Sequence, residues 1–493
     1  MRKIYEQILK IGKPITVAVL ILFALRIVTI AVMGIMPQDA YYYFYAEHLS
    51  LSYFDHPPMV GWMLWLFTSV FGKSIYVIHA ADFFVTLATI CMFYTVAKRV
   101  LSPSKAVNTT LLFLSTLMVS ILSLNTTPDV PLLFFWTLSL FFAHRAVTSD
   151  KAIDWIVTGI MMGASFLSKY TAVFLPAGLF LFLLLRKEHR SKLLTRFLPM
   201  CFITALVASP VLIWNLEHDF ASFKFQGSKR VTEMGSSGIN LKNLAGLFAH
   251  QFAILLPLLC LLLAGLLYRF IKRPVRKLRT VSADTIFLLC FFLPLIGLFV
   301  VVSFFTWVKL NWMMPAYISG ILCAGIYFKQ KWLKYQLLPS LVISTAGLIF
   351  ILLYPVPVKS DDTWWGWKQL NNALSNKMAS HPGYFIFSND SYKTTAVLNF
   401  LRDDEVYGGN ILGEQALQFS ITHKDAPQQL AGRNALFVDS YPQFKKEKNT
   451  DSLLYKLNQH FKEIRLVDTI VLKTTFGQTA RMFLIYDCRE YKP

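Results

Sequence analysis

Long apolar runs, each near the length a helix needs to cross a bilayer, recur along the first 355 residues and constrain the fold more than any single motif. About 20 consecutive apolar residues carry a helix across the hydrocarbon core. Such runs fall near 15–36, 74–97, 106–123, 131–148, 154–168, 171–186, 195–213, 245–268, 282–304, 312–328 and 336–355, which predicts eleven spans. The stretch 154–186 is too long for one crossing and is split at Ser168-Lys169-Tyr170. The stretch 59–71, after Pro57-Pro58, is too short to span and is expected to lie in the membrane interface. Only 15% of the 493 residues are charged, against about 25% in soluble domains.

The formal charge of +20 suggests nucleic acid until its distribution is read. Residues 1–355 hold 31 basic and 13 acidic residues, whereas residues 356–493 hold 17 and 15. The excess therefore belongs to the apolar part, where loop Lys and Arg set topology. Alternate loops carry 23 of these cations, the others only seven. That asymmetry predicts a cytoplasmic N-terminus and, after eleven spans, a C-terminus on the outer face. It also requires the split at Lys169, since without it the loop 269–279, with six basic residues, would lie outside. The first run spans and lacks a small-residue cleavage site, so no cleavable signal peptide is expected. Six scattered Cys give neither a disulfide framework nor a metal spacing.

From Val356 the texture changes to short apolar runs, such as Tyr384–Phe387, Ala435–Val438 and Thr469–Lys473, alternating with polar and helix-like stretches. The expectation is an α-helical polytopic membrane domain over 1–355 and a small soluble α/β domain over 356–493, outside the cytoplasm.

Acidic residues gather on the predicted outer side. The segment 36–58, MPQDAYYYFYAEHLSLSYFDHPP, holds Asp39, Glu47, His48, Asp55 and His56 and no Lys or Arg. The next outer loop holds Asp129 at a helix start. Further along come Lys169-Tyr170, then Trp214-Asn215 with Glu217, His218 and Asp219, then Lys229-Arg230, and last Lys309 with Asn311 and Trp312. Ionisable groups at the edge of hydrocarbon are costly and point to function. Carboxylates can take a proton from an acceptor hydroxyl or amine. Cations can neutralise a departing phosphate.

Plainer readings stand beside these. Asp129, before a Pro-led helix, fits an N-cap as well as a catalyst, and Asp39 could cap the helix holding Tyr41–Tyr45. Tyr41, Tyr42, Tyr43 and Tyr45, with Trp62 and Trp65, fit an interfacial aromatic belt better than a sugar platform. Lys169 near a span end could simply snorkel.

The ordered stretches QDAYYY (38–43), YFDHPPMVGW (53–62), NTTPDVPLLFFW (125–136), LSKYT (167–171), WNLEHDFASFKFQ (214–226) and KLNW (309–312) resemble the GT-C glycosyltransferases. Within that class they resemble the bacterial branch of glycosyltransferase family 39, related to protein O-mannosyltransferases and to the lipid A aminoarabinose transferase. The tail stretch 383–401 resembles that family's outer C-terminal domain.

The resemblance implies a polyprenyl-phosphate sugar donor and an inverting displacement at the anomeric carbon. The acceptor would be an envelope glycolipid such as lipid A or lipopolysaccharide, another glycan, or a protein. It places the base or acceptor-orienting role on Asp39 and a second acidic role on Asp129. It ties donor phosphate to a Lys of the aminoarabinose transferases that His56 replaces here, and Lys169, with Lys309 and Arg230, is the natural compensating cation. Tyr42, Glu47, Asp55, Tyr170 and Asn215 would line the substrate cavity, and Asp55 with His218 is a candidate pair for a divalent metal ion. No nucleotide fingerprint occurs in the chain. A transporter or flippase of a lipid-linked sugar is the runner-up, disfavoured because no inverted repeat or paired broken helix is evident.

Overall fold

The computed structural model describes residues 12–229, 238–272, 281–358, 360, 362–441 and 448–493. Its principal helices, in chain order, are α1 Lys13–Val32, α2 Pro37–Glu47, α3 Met59–Phe71, α4 Ile75–Val100, α5 Pro103–Leu114, α6 Leu117–Leu122, α7 Asp129–Ser149 and α8 Ala152–Ser168. They continue as α9 Phe174–Leu185, α10 Leu198–Glu217, α11 Leu241–Leu255, α12 Pro257–Ile271, α13 Ala283–Val302, α14 Met314–Tyr327 and α15 Leu333–Leu353. Among the described residues six helices, with two counted together with the turn that leads into them, are long and apolar enough to cross a membrane, and five shorter apolar helices accompany them. The protein is thus a multi-pass membrane protein, as its hydropathy predicts.

Two compact units form. The first comprises Met1–Ile30, His56–Val60 and His79–Ala346; the second comprises Ala31–Asp55, Gly61–Ile78 and Gly347–Pro493.

In the first unit, two runs read as single spans are broken helices. The run 106–123 divides into α5 and α6 at Ser115-Thr116. Their hydroxyls donate to the carbonyls of Leu112 and Phe113, at 2.8 and 2.7 Å, and Thr116 Oγ1 caps α6 by accepting from the Val119 N–H. Such local side-chain bonds compete with the helix ladder. The carbonyl of Leu114 accepts from Nη2 of Arg26 at 2.6 Å, from within α1. Arg26 also reaches Ser120 Oγ, at 3.1 Å. The run 245–268 divides at Leu256, which has φ +68° ahead of Pro257. Proline disfavours helical geometry in the residue before it and offers no N–H to the ladder. The carbonyl of Leu255 accepts from Gln336 Nε2 of α15 at 2.8 Å. By contrast, the predicted split at Lys169 is present: α8 stops at Ser168, Lys169 is extended, and a short turn over Tyr170–Val173 leads into α9.

In the second unit, α16 Trp367–Ser380, β1 Phe385–Ser388, α17 Lys393–Leu401, β2 Val406–Tyr407, β3 Ala435–Tyr441, α18 Lys448–His460, β4 Phe461–Lys473 and β5 Thr479–Tyr491 follow the last apolar helix. The sheet order is β2-β1-β3-β5-β4. β1 pairs in parallel with β2 and β3, and β5 pairs antiparallel with β3 and β4. Every residue of β1 is buried, and Phe385, Phe387, Phe437, Tyr486 and Tyr491 share one core. This is the α/β texture expected after Val356.

The same unit contains α2 and α3. Pro37 starts α2, and Asp39 Oδ2 accepts the N–H of Met36 at 3.0 Å. The four tyrosines of α2 are buried, not displayed as an interfacial belt. Tyr41 and Tyr45, one turn apart on a common face, both donate to Asp55 Oδ1, Tyr41 at 2.6 Å. Tyr45 stacks on Tyr53 with centroids 3.7 Å apart. Gly61 lets α3 approach this stack, since a Cβ there would lie 2.8 Å from that of Tyr45.

Replacing Gln336 with Leu leaves the Leu255 carbonyl without its partner. Full-length protein in detergent should lose about 1–3 kcal/mol, read as a lower thermal midpoint. An unchanged midpoint would mean that this bond does not support the break in α11–α12.

Candidate active site

The first unit holds a buried ion pair at one end of its helices. Asp129 is the first residue of α7, whose N-cap position is taken by Pro128. Lys169 Nζ lies 2.8 and 2.9 Å from the two carboxylate oxygens of Asp129. Asn311, just before α14, donates from Nδ2 to Asp129 Oδ2 at 2.5 Å. Asp129 is fully buried and Lys169 is 8% exposed. The extended conformation of Lys169 ends α8 and sends its chain to Asp129 across 40 positions of sequence. A helix start, a helix break and a loop before a helix thus meet, each supplying one polar side chain. The snorkelling reading of Lys169 and the capping reading of Asp129 are both replaced by this pair.

Further polar side chains of the same unit are held by hydrogen bonds. Asn215, fully buried, donates to the carbonyl of Val211 at 2.8 Å and accepts from the N–H of Phe223 at 3.2 Å. Tyr170 OH and Ser222 Oγ are 2.6 Å apart. Asp82, which the sequence reading passed over inside the span 74–97, is buried and accepts from Thr126 Oγ1 at 2.6 Å. His56 is partly buried and Lys309 exposed, both in this unit. Arg230 lies outside the described residues, and nothing is described of the Lys229 side chain. Arg26 and Asn311 were likewise missed as partners. The signal for Asn311 was its place in KLNW; that for Arg26 was a lone cation inside an apolar run.

In the second unit, Asp39 is fully buried at the third position of α2. Tyr42 packs its ring edge-on to Tyr45, with centroids 5.5 Å apart. Glu47 pairs with Lys73 at 2.9 Å and lines an open cavity of about 350 Å³ with Phe44, His48 and Asn399. Asp55 is occupied by the hydroxyls of Tyr41 and Tyr45. Burial, then the nearby Asp55 charge, push both phenols well above their ordinary pKa, so they remain donors.

The candidate metal pair is divided between the units, Asp55 in the second and His218 in the first. Asp55 accepts two tyrosine hydroxyls, and His218 places Nδ1 2.9 Å from the carbonyl of Trp214 while its ring stacks on that indole. Among the described residues no group of three or more His, Cys, Asp or Glu could hold a metal ion.

The family described as dolichyl-phosphate-mannose-protein mannosyltransferase matches residues 55–214. A lipid A galacturonosyltransferase, RgtD, of Rhizobium johnstonii (strain DSM 114642 / LMG 32736 / 3841) is 27% identical over 64% of this chain and 65% of its own. An undecaprenyl phosphate-alpha-4-amino-4-deoxy-L-arabinose arabinosyl transferase of Pseudomonas savastanoi pv. phaseolicola is 28% identical over 34% of this chain and 32% of its own. The chain therefore matches just under two thirds of the first relative's length and about a third of the second's. Two structures of ArnT from Cupriavidus metallidurans, apo and bound to undecaprenyl phosphate, have a TM-score of 0.62 to this fold, at 12% and 13% identity, covering 95% of this chain and 97% of theirs. The fold is like that of these two ArnT structures over nearly the whole chain. Over residues 55–214 the chain is similar to the protein mannosyltransferase family, and over a third of its length to the arabinosyl transferase.

Lys169→Met leaves the Asp129 carboxylate buried and unpaired, which should destabilise the protein by about 3–5 kcal/mol. Adding Asp129→Leu to that variant should recover more than half of the loss. A double-mutant cycle on thermal midpoints decides this; additive effects would exclude a coupled pair.

Proposed function

We propose that the protein is an integral-membrane glycosyltransferase that moves a sugar from a polyprenyl-phosphate carrier to an envelope glycolipid on the periplasmic face. The observation that carries this reading is the buried Lys169–Asp129–Asn311 cluster at one end of the apolar bundle. Ionisable groups are kept at membrane depth where they act. The named activities of the curated relatives support a lipid-linked sugar as donor and lipid A as the favoured acceptor. The topology we propose has eleven crossings, with 1–355 as the membrane catalytic domain and 356–493 as a periplasmic domain. The N-terminus is then cytoplasmic and the membrane is the bacterial inner membrane.

In the proposed reaction an acceptor hydroxyl attacks the anomeric carbon from the face opposite the phosphate. The new C–O bond forms as the bond from the anomeric carbon to the phosphate oxygen breaks, with inversion. Asp39 takes the acceptor's proton, and Asp129 orients the acceptor or shares that role. Polyprenyl phosphate leaves with the electron pair. Lys169 balances its charge, aided by His56, Lys309 and Arg230. Asn311 holds the Asp129 carboxylate, and Asp129 in turn holds the Lys169 ammonium, so the cation is positioned before charge develops. Tyr42, Glu47, Asp55, Tyr170 and Asn215 are the further residues this reading assigns to substrate binding.

Mass spectrometry of envelope glycolipids from cells lacking the protein, complemented with wild type or with Asp39→Asn, tests the proposal. A sugar lost from a glycolipid and restored only by wild type is the expected result. Transfer by Asp39→Asn in membranes should fall about 100- to 10,000-fold, the range of general acid–base catalysis. Full rescue by Asp39→Asn would remove it from the role of base.

A further inference from the structure

At the far end of the first unit, α12 and α14 enclose a groove whose lining differs from everything around Asp129. Leu261, Leu262, Gly265 and Leu266 form its apolar wall, and Arg269, Tyr327, Lys329 and Trp332 close one end; the cavity measures about 350 Å³. Its position follows from the helices. Asn311, bonded to Asp129, sits just before α14, whereas Tyr327 is the last residue of that helix. Fourteen residues at 1.5 Å each put the groove roughly 20 Å along the bundle from the ion pair. By the charge asymmetry of the loops this is the cytoplasmic end.

The two cations are held over aromatic faces. Arg269 Cζ is 5.4 Å from the Tyr327 ring centroid, and Lys329 Nζ is 5.7 Å from that of Trp332. Both are exposed, and among the described residues neither makes an ion pair with a carboxylate. Gly265 leaves the wall open, since a Cβ built there would meet nothing within 4 Å. Two cations at the end of an apolar slot, at the level where helices leave the bilayer, complement a molecule with an anionic head and a hydrocarbon tail.

We propose that this groove binds an anionic diacyl phospholipid from the cytoplasmic leaflet. Arg269 and Lys329 take the phosphate, and one acyl chain lies along Leu261, Leu262, Gly265 and Leu266. The site is separate from the donor site of the proposed reaction; its place in the cytoplasmic leaflet rests on the topology proposed above.

Native mass spectrometry of the full-length protein in detergent, given equal phosphatidylglycerol and phosphatidylcholine, tests it. Wild type should retain phosphatidylglycerol in preference. The double variant Arg269→Gln/Lys329→Gln should lose that preference by roughly 30-fold, from about 1 kcal/mol for each basic residue near the surface. Gly265→Phe, which keeps both charges but fills the slot, should also lose it, and thermal midpoints within a few degrees of wild type would show that both variants fold. Equal retention of the two lipids by wild type, or unchanged selectivity in both variants, overturns the proposal. So does displacement by inorganic phosphate alone, which would make the tail irrelevant. Displacement by undecaprenyl phosphate but not by further phosphatidylglycerol would give the groove to the polyprenyl lipid and likewise overturn it.

Discussion

Backbone hydrogen bonding inside the bilayer is the constraint on which the membrane unit depends. Hydrocarbon offers no partner for a freed carbonyl or amide, so irregular backbone persists there only where protein satisfies it. The breaks at Ser115-Thr116 and at Leu256 meet this demand in the same way. Each leaves a carbonyl, of Leu114 and of Leu255, and each carbonyl receives a donor from a distant helix, Arg26 of α1 and Gln336 of α15. The polar residues that look misplaced in apolar runs are therefore complements of the breaks. They tie α1 to α5–α6 and α15 to α11–α12, fixing which helices are neighbours.

The break at Lys169 uses the same physics for a different end. Here the interruption carries its own cation, and the side chain is directed to a carboxylate at the start of α7. A buried charge pair contributes little net stability, because desolvation opposes the attraction, but losing one partner is costly. In the proposed reaction this pair holds an ammonium in place where an anionic lipid phosphate would approach. Asn311 completes it by occupying a carboxylate oxygen, which ties the loop before α14 to the same point. At the other end of α7, His144 lies 2.9 Å from Asp284 and accepts from Arg99 at 3.2 Å. Polar pairs thus pin both ends of that helix to its neighbours.

The second unit shows how local chemistry can mislead. A run of tyrosines beside an apolar span reads as an interfacial belt, and composition supports that reading. The i, i+4 spacing of Tyr41 and Tyr45 instead aims two hydroxyls at one acceptor, and Asp55, a residue without a regular element of its own, supplies it. Gln418 then joins the same network by accepting the Phe54 N–H at 2.9 Å and donating its own N–H to Tyr41 OH at 3.2 Å. Nothing in the segment 36–58 announces a partner more than 350 positions away. The role of Asp39 as a helix-start acceptor was legible, by contrast, because capping is decided within four residues.

Hydropathy and charge by themselves determined that this is a multi-pass helical membrane protein with an α/β segment after Val356, since both properties are summed over many residues and tolerate local error. The split at Lys169 was legible because one cation interrupts an otherwise continuous apolar run. Pro257 and Ser115-Thr116 carried signals for the other breaks, but weaker ones, because proline and hydroxyl side chains also occur inside continuous membrane helices. Only the tertiary structure decided which polar groups meet: Lys169 with Asp129 and Asn311, Arg26 with Leu114, Gln336 with Leu255, Asp55 with two tyrosines. Those pairings join positions that are mostly far apart in sequence, and in a medium without water each buried polar group must find its partner wherever the fold brings one within reach.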